Sequence, residues 1–571
     1  MKSVMLSLVI VATAAAGIVG AGYRRSAPTP PAALSHYMPS GPLLYLEAKD
    51  FSALLANWNA SPEKQRWVGS GNYEVFSRSR LFLRLKGACD QFAAAAGFPP
   101  DMNFLGQVAG SRTALAVYDI GNLNFLYITQ LPSAKSVQTI LWQGHANFES
   151  RSAGGIQFYI RRDPQSQREV AFAIAGDYLL LATREDLIAG ALQLISGTQD
   201  RSVENDPWWS AAVHSAGPAG DVRMVLNLEK IVPSPYFRTY WVQQNITDLK
   251  QYSAAISDLY RSGAQYREER VLLKKVSTSP TPGANVSSDS QALGDLVRLV
   301  PEDAGLYEAH AQPDAEACLD LLESRLLAPH LGPATPSHLA PPAPIGGADV
   351  GTSADLESRI DQPVERRSEA PSGLLAMKNL LSQMPLAAAL EIQSTDRERS
   401  GVFVQFHTVL VLAGTNDWNE PAVESALVEA LGPALTASQL GVSWQTKSGY
   451  KQLDGLLPLA VSVRGKDLLL SDDAAALEKV LANFSRKTEP SEATYLGGFS
   501  HARERANFAL LAGVVDRPYA AGGDTGTRQP QFFADNLGSL SSTLGGVTSE
   551  KIAVRSDQNT VRQTVTYQWS E

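Results

Sequence analysis

The side chains best suited to chemistry are few and scattered. Ser500 and His501 adjoin in Gly498-Phe499-Ser500-His501, followed by Arg503, Glu504 and Arg505. A nucleophile and its base must meet within hydrogen-bond reach, which adjacency in sequence does not achieve, and the chain has no Gly-x-Ser-x-Gly elbow. This cluster reads as a solvated loop before a strand at Asn507. The eight histidines include no His-x-x-x-His or His-Glu-x-x-His pair of the kind that holds zinc on a helix. His407 falls inside a predicted strand, Val402 to Leu412, where alternation puts it on the face of Gln405. Asp472 and Asp473 are neighbours whose side chains diverge, and they read as the start of a helix. Gly522-Gly523-Asp524-Thr525-Gly526 lacks the Lys and the helix of a phosphate loop and reads as a surface loop. Cys89 and Cys318 have no second Cys or His at ligand spacing, so zinc and iron–sulfur sites find no support. Each sits in an apolar helical context, as buried free thiols do, and a bridge between them stays open as the second reading. No catalytic residue, metal ligand or cofactor site is assigned.

Aromatic residues are the remaining candidates. Trp208 and Trp209 follow Pro207, and Tyr236, Phe237, Tyr240 and Trp241 crowd the stretch after Pro235. Exposed, such rings suit a glycan or a protein partner. Core packing is the competing use.

What must position these residues is set first by length. A chain of 571 residues exceeds one hydrophobic core and divides into domains. With 44% hydrophobic and 19% charged residues it is of ordinary globular composition. A net charge of −9 with both signs mixed along the chain offers no basic stripe for phosphates, which excludes nucleic acid as a partner. Lys2 precedes an uncharged apolar stretch from Ser3 to Tyr23, and Arg24, Arg25 and a Pro-rich run follow. Residues 1–25 therefore read as a targeting segment, either a cleaved signal peptide or a retained anchor. About 20 apolar residues suffice to span a bilayer, and Arg24-Arg25 just beyond them favours retention over simple export. The body is then extracytoplasmic, tethered to the inner membrane, or periplasmic or secreted after cleavage.

Internal similarity decides the architecture. The opening Met38-Pro39-Ser40-Gly41-Pro42-Leu43-Leu44-Tyr45 resembles Val300-Pro301-Glu302-Asp303-Ala304-Gly305-Leu306-Tyr307, and each leads to an Asp (Asp50, Asp314) placed to cap a helix. Strand pairs Thr113 to Tyr118 with Leu123 to Leu131, and Leu386 to Ile392 with Val402 to Leu412, precede the amphipathic segments Ser133 to Trp142 and Pro421 to Leu431. The strongest match sets Val170 to Ala182 beside Leu459 to Ser471, with Gly176 and Gly465 where a tight hairpin needs positive φ. Thr183 with Asp186 resembles a capping box, and Asp472 and Asp473 lead the second helix. Val222 to Leu228 aligns with Asn507 to Val514. Asp248 to Lys274, predicted as a helix then a strand, aligns with Asp535 to Trp569.

The fold expected is α+β: two tandem copies of a mostly antiparallel sheet module with helices on one face. The copies span 37–276 and 297–571, with a Pro-rich linker at 26–36, a second linker at 277–296 and an insertion at 329–371 whose Pro, Ala and Gly content predicts disorder. An apolar N-terminal segment, Pro-x-x-x-x-Leu-Tyr strand openings and Gly-x-x-Leu-Leu-Leu hairpins before a capped helix together resemble a family of bacterial membrane-anchored proteins carrying a domain of unknown function. That resemblance implies export and transfers no catalytic residue. The repeated positions are apolar, Gly or capping residues, so the reading preferred is a non-catalytic envelope protein that binds or scaffolds an envelope protein or glycan. Two rivals are a hydrolase of an envelope polymer, with its site between the copies near His501 or Asp417, and a lipid or small-ligand carrier. The carrier predicts an apolar cavity between sheet and helices.

Overall fold

The computed structural model of the chain describes residues 33–235, 249–275, 290–327, 374–397, 404–436, 443–454, 459–515 and 545–570. The apolar N-terminal stretch, the insertion at 329–371, Gly522 to Gly526 and the aromatic residues Tyr236, Phe237, Tyr240 and Trp241 lie outside them. Among the described residues no helix is long and apolar enough to cross a membrane. The chain divides into two compact units, one of residues 1–282, 508–550 and 557–571, the other of 283–507 and 551–556.

The first unit contains β1 (Leu44–Ala48), β2 (Thr113–Asp119), β3 (Asn124–Gln130), β4 (Glu149–Ala153), β5 (Ile156–Arg162), β6 (Glu169–Ala175), β7 (Tyr178–Ala182), β8 (Val222–Asn227), β9 (Tyr252–Ser262) and β10 (Gln265–Lys274). The second contains β11 (Leu306–Ala311), β12 (Leu386–Arg397), β13 (Val404–Gly414), β14 (Ser443–Thr446), β15 (Lys451–Asp454), β16 (Ala460–Arg464), β17 (Asp467–Ser471) and β18 (Tyr495–Phe499). β19 (Val547–Ser556) and β20 (Thr560–Trp569) close the chain. Every ladder described is antiparallel. In the first unit the order is β4-β5-β6-β7-β3-β2-β1-β8-β9-β10-β20. In the second, β14-β15-β16-β17-β13-β12-β11-β18 repeats the run from β4 to β8 strand for strand. The class is α+β, and the internal similarity of the sequence is mirrored in this shared strand order.

The matched hairpins explain how the similarity works. Gly176 and Gly465 have φ of 60° and 59°, the left-handed region that a side chain disfavours. Each begins a two-residue turn closed by Ala175↔Tyr178 or Arg464↔Asp467. The strands after them bury successive residues on both sides: Leu179 and Leu181 enter one core while Leu180 and Ala182 enter another. Leu468 and Leu470 likewise part from Leu469. Such runs leave no solvent face, so the one-face placement expected of the helices widens to both faces of each sheet. In the first unit Phe51–Ala60, Arg80–Ala96 and Met102–Val108 cover one side, and Glu185–Ile195 with Pro207–Ser215 the other.

Several local expectations are corrected. Asn507 to Val514 is not a strand but part of the helix His501–Val515. The strand equivalent to β8 is β18, since β8 pairs with β1 as β18 pairs with β11. The segment through Lys274 is a hairpin of two strands, β9 and β10, and Ala254 to Leu259 alternates buried and half-buried positions as a strand does. Within the expected linker 277–296, Ser290–Val297 is a helix that buries Leu293 and Leu296 in the second unit's core. Ser133 to Trp142 forms two short helical turns, Ser133–Ser136 and Ile140–Gln143. Asp50 and Asp473 cap their helices through Ala53 N and Ala475 N, but Asp314 makes no side-chain cap bond. Thr183 does not cap either: its hydroxyl accepts from Phe125 N at 2.9 Å and ties β3 to the end of β7.

Candidate ligand-binding cavity

Alternation along β1 sends Leu46 and Ala48 to one side of the first unit's sheet and Tyr45 and Glu47 to the other. On the first side, Leu46, Ala48, Leu115, Val117, Phe125, Tyr127, Leu181 and Val222 form an apolar floor. The helices over it contribute Phe51 and Leu54, then Ala88, Cys89 and Phe92, then Phe104, Leu105 and Val108. Spacings of three and four hold each set on one helical face. Floor and roof do not close on each other, and a cavity of about 210 Å³ remains between them. At ~30 Å³ per water of liquid volume it has room for about seven waters, yet its walls give them few partners.

The polar atoms near this floor are committed to the fold. The Tyr127 hydroxyl donates to the carbonyl of Val108 at 2.6 Å, fastening a roof helix to the sheet, and burial pushes its phenol pKa well up. Thr113 and Thr129 share a hydroxyl hydrogen bond of 2.6 Å. Cys89 is a free thiol facing the cavity, raised to about 11 by burial and, secondarily, by Asp90. Cys318 is also free, and buried. One rim is different in kind: Asn122, Leu123, Arg168, Glu169 and Thr183 line it. Leu123 stands there with φ of 51°, in the left-handed region that costs a branched residue about 1–2 kcal/mol.

On the other side of β1 a polar groove of about 570 Å³ runs beside Trp209. Its floor is a bonded network. Tyr45 donates to Glu47 at 2.7 Å, Arg112 pairs with Glu47 at 2.7 Å, and Arg223 holds Asp258 through two contacts of 2.8 Å. Trp209 is 5% exposed, meets Tyr45 edge to face with ring centroids 4.8 Å apart, and belongs to the core while lining the groove. Trp208 is half-buried against the same core.

The remaining candidates of the sequence lie elsewhere. His501 opens its helix with its ring on Phe499, centroids 4.7 Å apart, and Gly498 and Phe499 end β18. The cluster is therefore no solvated loop, and Glu504 is buried, accepting from Thr395 N at 3.3 Å and from Arg503. Asp417 is exposed before the helix Glu420–Thr436. His407 in β13 places Nδ1 3.1 Å from Asp473, and Asp472 accepts from Thr408 N at 2.7 Å. Among the described residues no group of three or more His, Cys, Asp or Glu is arranged to hold a metal.

Set against known proteins, the chain matches no family model and no curated protein. Solved structures described as crystal forms III and I of TP0453 are similar to it at 12% identity. They cover 43% and 44% of this chain and 82% and 83% of their own, with TM-scores of 0.22 and 0.23. Likeness at that level carries no weight for fold or function.

The cavity went unforeseen in its position because its lining is made of residue types that also fill cores. Only the pairing of Ala88 with Cys89, two small residues one turn before Phe92 on the same helical face, hints that a helix stands off from its sheet.

Proposed function

We propose that this chain is a non-catalytic binding protein of the bacterial envelope, tethered to the inner membrane by its apolar N-terminal stretch, whose first unit takes up the apolar part of a small ligand. The observation that carries this reading is the 210 Å³ cavity between sheet and helices. Sealed and empty, a void of that size costs about 5 kcal/mol at ~24 cal/mol per Å³. Open at its rim it costs less, but an apolar guest still recovers part of that loss, whereas water finds little to bond. Binding is favoured over catalysis because the hydroxyl and acidic groups of the walls, Tyr127, Thr113, Thr183, Glu47 and Glu169, already serve structural hydrogen bonds. The tether rests on the uncharged run Ser3 to Tyr23 between Lys2 and Arg24.

The test is titration of the full chain with 1-octanol, an uncharged chain of suitable size, by calorimetry. Saturable binding is expected, and substitution of Ala88, which lines the cavity, by Trp should abolish it. No saturation, or binding indifferent to A88W, sinks the reading.

A further inference from the structure

The cavity's lining includes one arginine, Arg168, beside two acids, Glu47 and Glu169, that are each paired with another arginine. Arg168, between β5 and β6, donates Nε to Gln91 Oε1 at 2.7 Å and Nη1 to the carbonyl of Asn122. Arg84, from the helix Arg80–Ala96, donates Nη2 to the carbonyl of Gly121. Two guanidinium groups from different elements thus meet on consecutive carbonyls of the β2–β3 turn. The same turn presents Leu123 to the cavity, and Arg168 itself lines it. Opposing them is Asp119, whose carboxylate is occupied by Asn122 N at 3.0 Å and Asn122 Nδ2 at 2.8 Å. Glu169, the other rim acid, is engaged by Arg162 Nε at 3.0 Å and by Glu185 N at 2.9 Å. Arg162 thus answers Glu169, and Asp119 is bound within its own turn. Arg168 has five N–H donors in a rigid fork, and its two bonds leave Nη2 uncommitted among the described residues. A guanidinium fixed in place at an apolar mouth, with donors to spare, matches a carboxylate or phosphate oxygen.

We infer that the ligand of the first unit is an anionic amphiphile: its chain occupies the apolar cavity and its carboxylate or phosphate head group rests on Arg168, with Arg84 adding charge. This rests on the apolar-ligand reading above and extends it from the tail to the head. The strained Leu123 fits the assignment, since it presents an apolar side chain where the turn's carbonyls are held by the two arginines.

The experiment compares octanoate, octyl phosphate, 1-octanol and acetate on the full chain at low salt, in wild type and in Arg168→Gln. Octanoate or octyl phosphate should bind about tenfold more tightly than octanol, as one charge-assisted hydrogen bond supplies. Added salt should narrow that ratio. Acetate, a head without a chain, should not bind measurably at concentrations that saturate octanoate. R168Q should weaken both anions about tenfold while leaving octanol within about twofold. Octanol binding as tightly as both anions overturns the head-group assignment and leaves the apolar reading standing. Failure of every chain-bearing compound removes both. Equal weakening of octanol and octanoate in R168Q assigns Arg168 to holding the turn alone, and overturns the inference. Acetate binding as well as octanoate overturns it too, by removing the chain from the site.

Discussion

Ala88→Leu tests whether the space beneath the helix Arg80–Ala96 is free. Leu follows Ala closely in helix propensity, so the substitution acts through packing. Ala88 lines the cavity, and three added carbons at about 0.8 kcal/mol per buried methylene are worth about 2.4 kcal/mol. Ordering a leucine costs about 0.5–1 kcal/mol, and the open rim leaves part of the side chain wet, so about 1 kcal/mol of stabilisation remains. Two-state unfolding is not expected of a chain with two units, so the effect is best read locally. Amides of Arg80–Ala96 that exchange when this roof lifts should exchange about fivefold more slowly. In the same variant octanol should bind about tenfold more weakly, because the two compete for one space. Were the floor and roof closed in solution, the leucine would overpack the site, cost about 1–3 kcal/mol and speed exchange instead. Slower exchange with unchanged octanol affinity would place the guest elsewhere.

The cavity thiol gives an independent reading: with Cys318→Ser to isolate it, Cys89, pushed up by burial to about 11, should alkylate near pH 7.5 about a hundredfold more slowly than an unperturbed thiol and more slowly again with octanol bound. A rate matching a free thiol would contradict its burial. Asp258→Ala strips the half-buried Arg223 of its two contacts with the buried carboxylate, leaving it the carbonyl of Gly217, and strips Gly220 N of its acceptor; it should cost the first unit about 3 kcal/mol by calorimetry, whereas loss below about 1 kcal/mol would mean the pair is solvated. Burial raises Asp472 above the usual carboxylate value of 3.8, so its contribution to stability is complete below that value and is lost as pH rises through the folded one. Asp472→Asn, which keeps an acceptor for Thr408 N, should therefore unfold at a higher temperature than wild type at pH 7 and converge with it in acid; parallel profiles would refute the shift.

How far the sequence could be read depended on whether local chemistry decided the outcome. Gly176 and Gly465 were legible because a two-residue hairpin demands positive φ and few residues supply it. Asp50 and Asp473 were legible as caps for a similar reason. His501 to Val515 was not, because Asn507 to Val514 is an apolar run that suits a strand as well as a helix, and the choice is made by Glu504, whose buried carboxylate binds Thr395 of β12. Ser290–Val297 was lost in a polar stretch, although Leu293 and Leu296 already stood three apart. The arginine rim depends on Arg84 and Arg168, far apart in sequence and joined only by the β2–β3 turn. No spacing rule reaches across such a separation.

A copy in the sequence and a unit of the fold are also different objects here. β20 belongs by sequence to the second copy, yet it pairs with β10 from Gln265↔Gln568 to Leu273↔Thr560 and is part of the first unit. Arg270 extends the ladder into side chains by donating to Gln563 at 3.2 Å. A chain ending near residue 282 would therefore expose the whole outer edge of β10, an invitation to pair with another chain. Arg267, Glu268, Glu269 and Arg270 would oppose that, since charged side chains are a usual guard of sheet edges, and Glu268 with Arg270 forms a pair on the strand itself. The charges that look excessive for a central strand are what an edge strand needs. β10 thus carries the composition of an edge while β20 covers it.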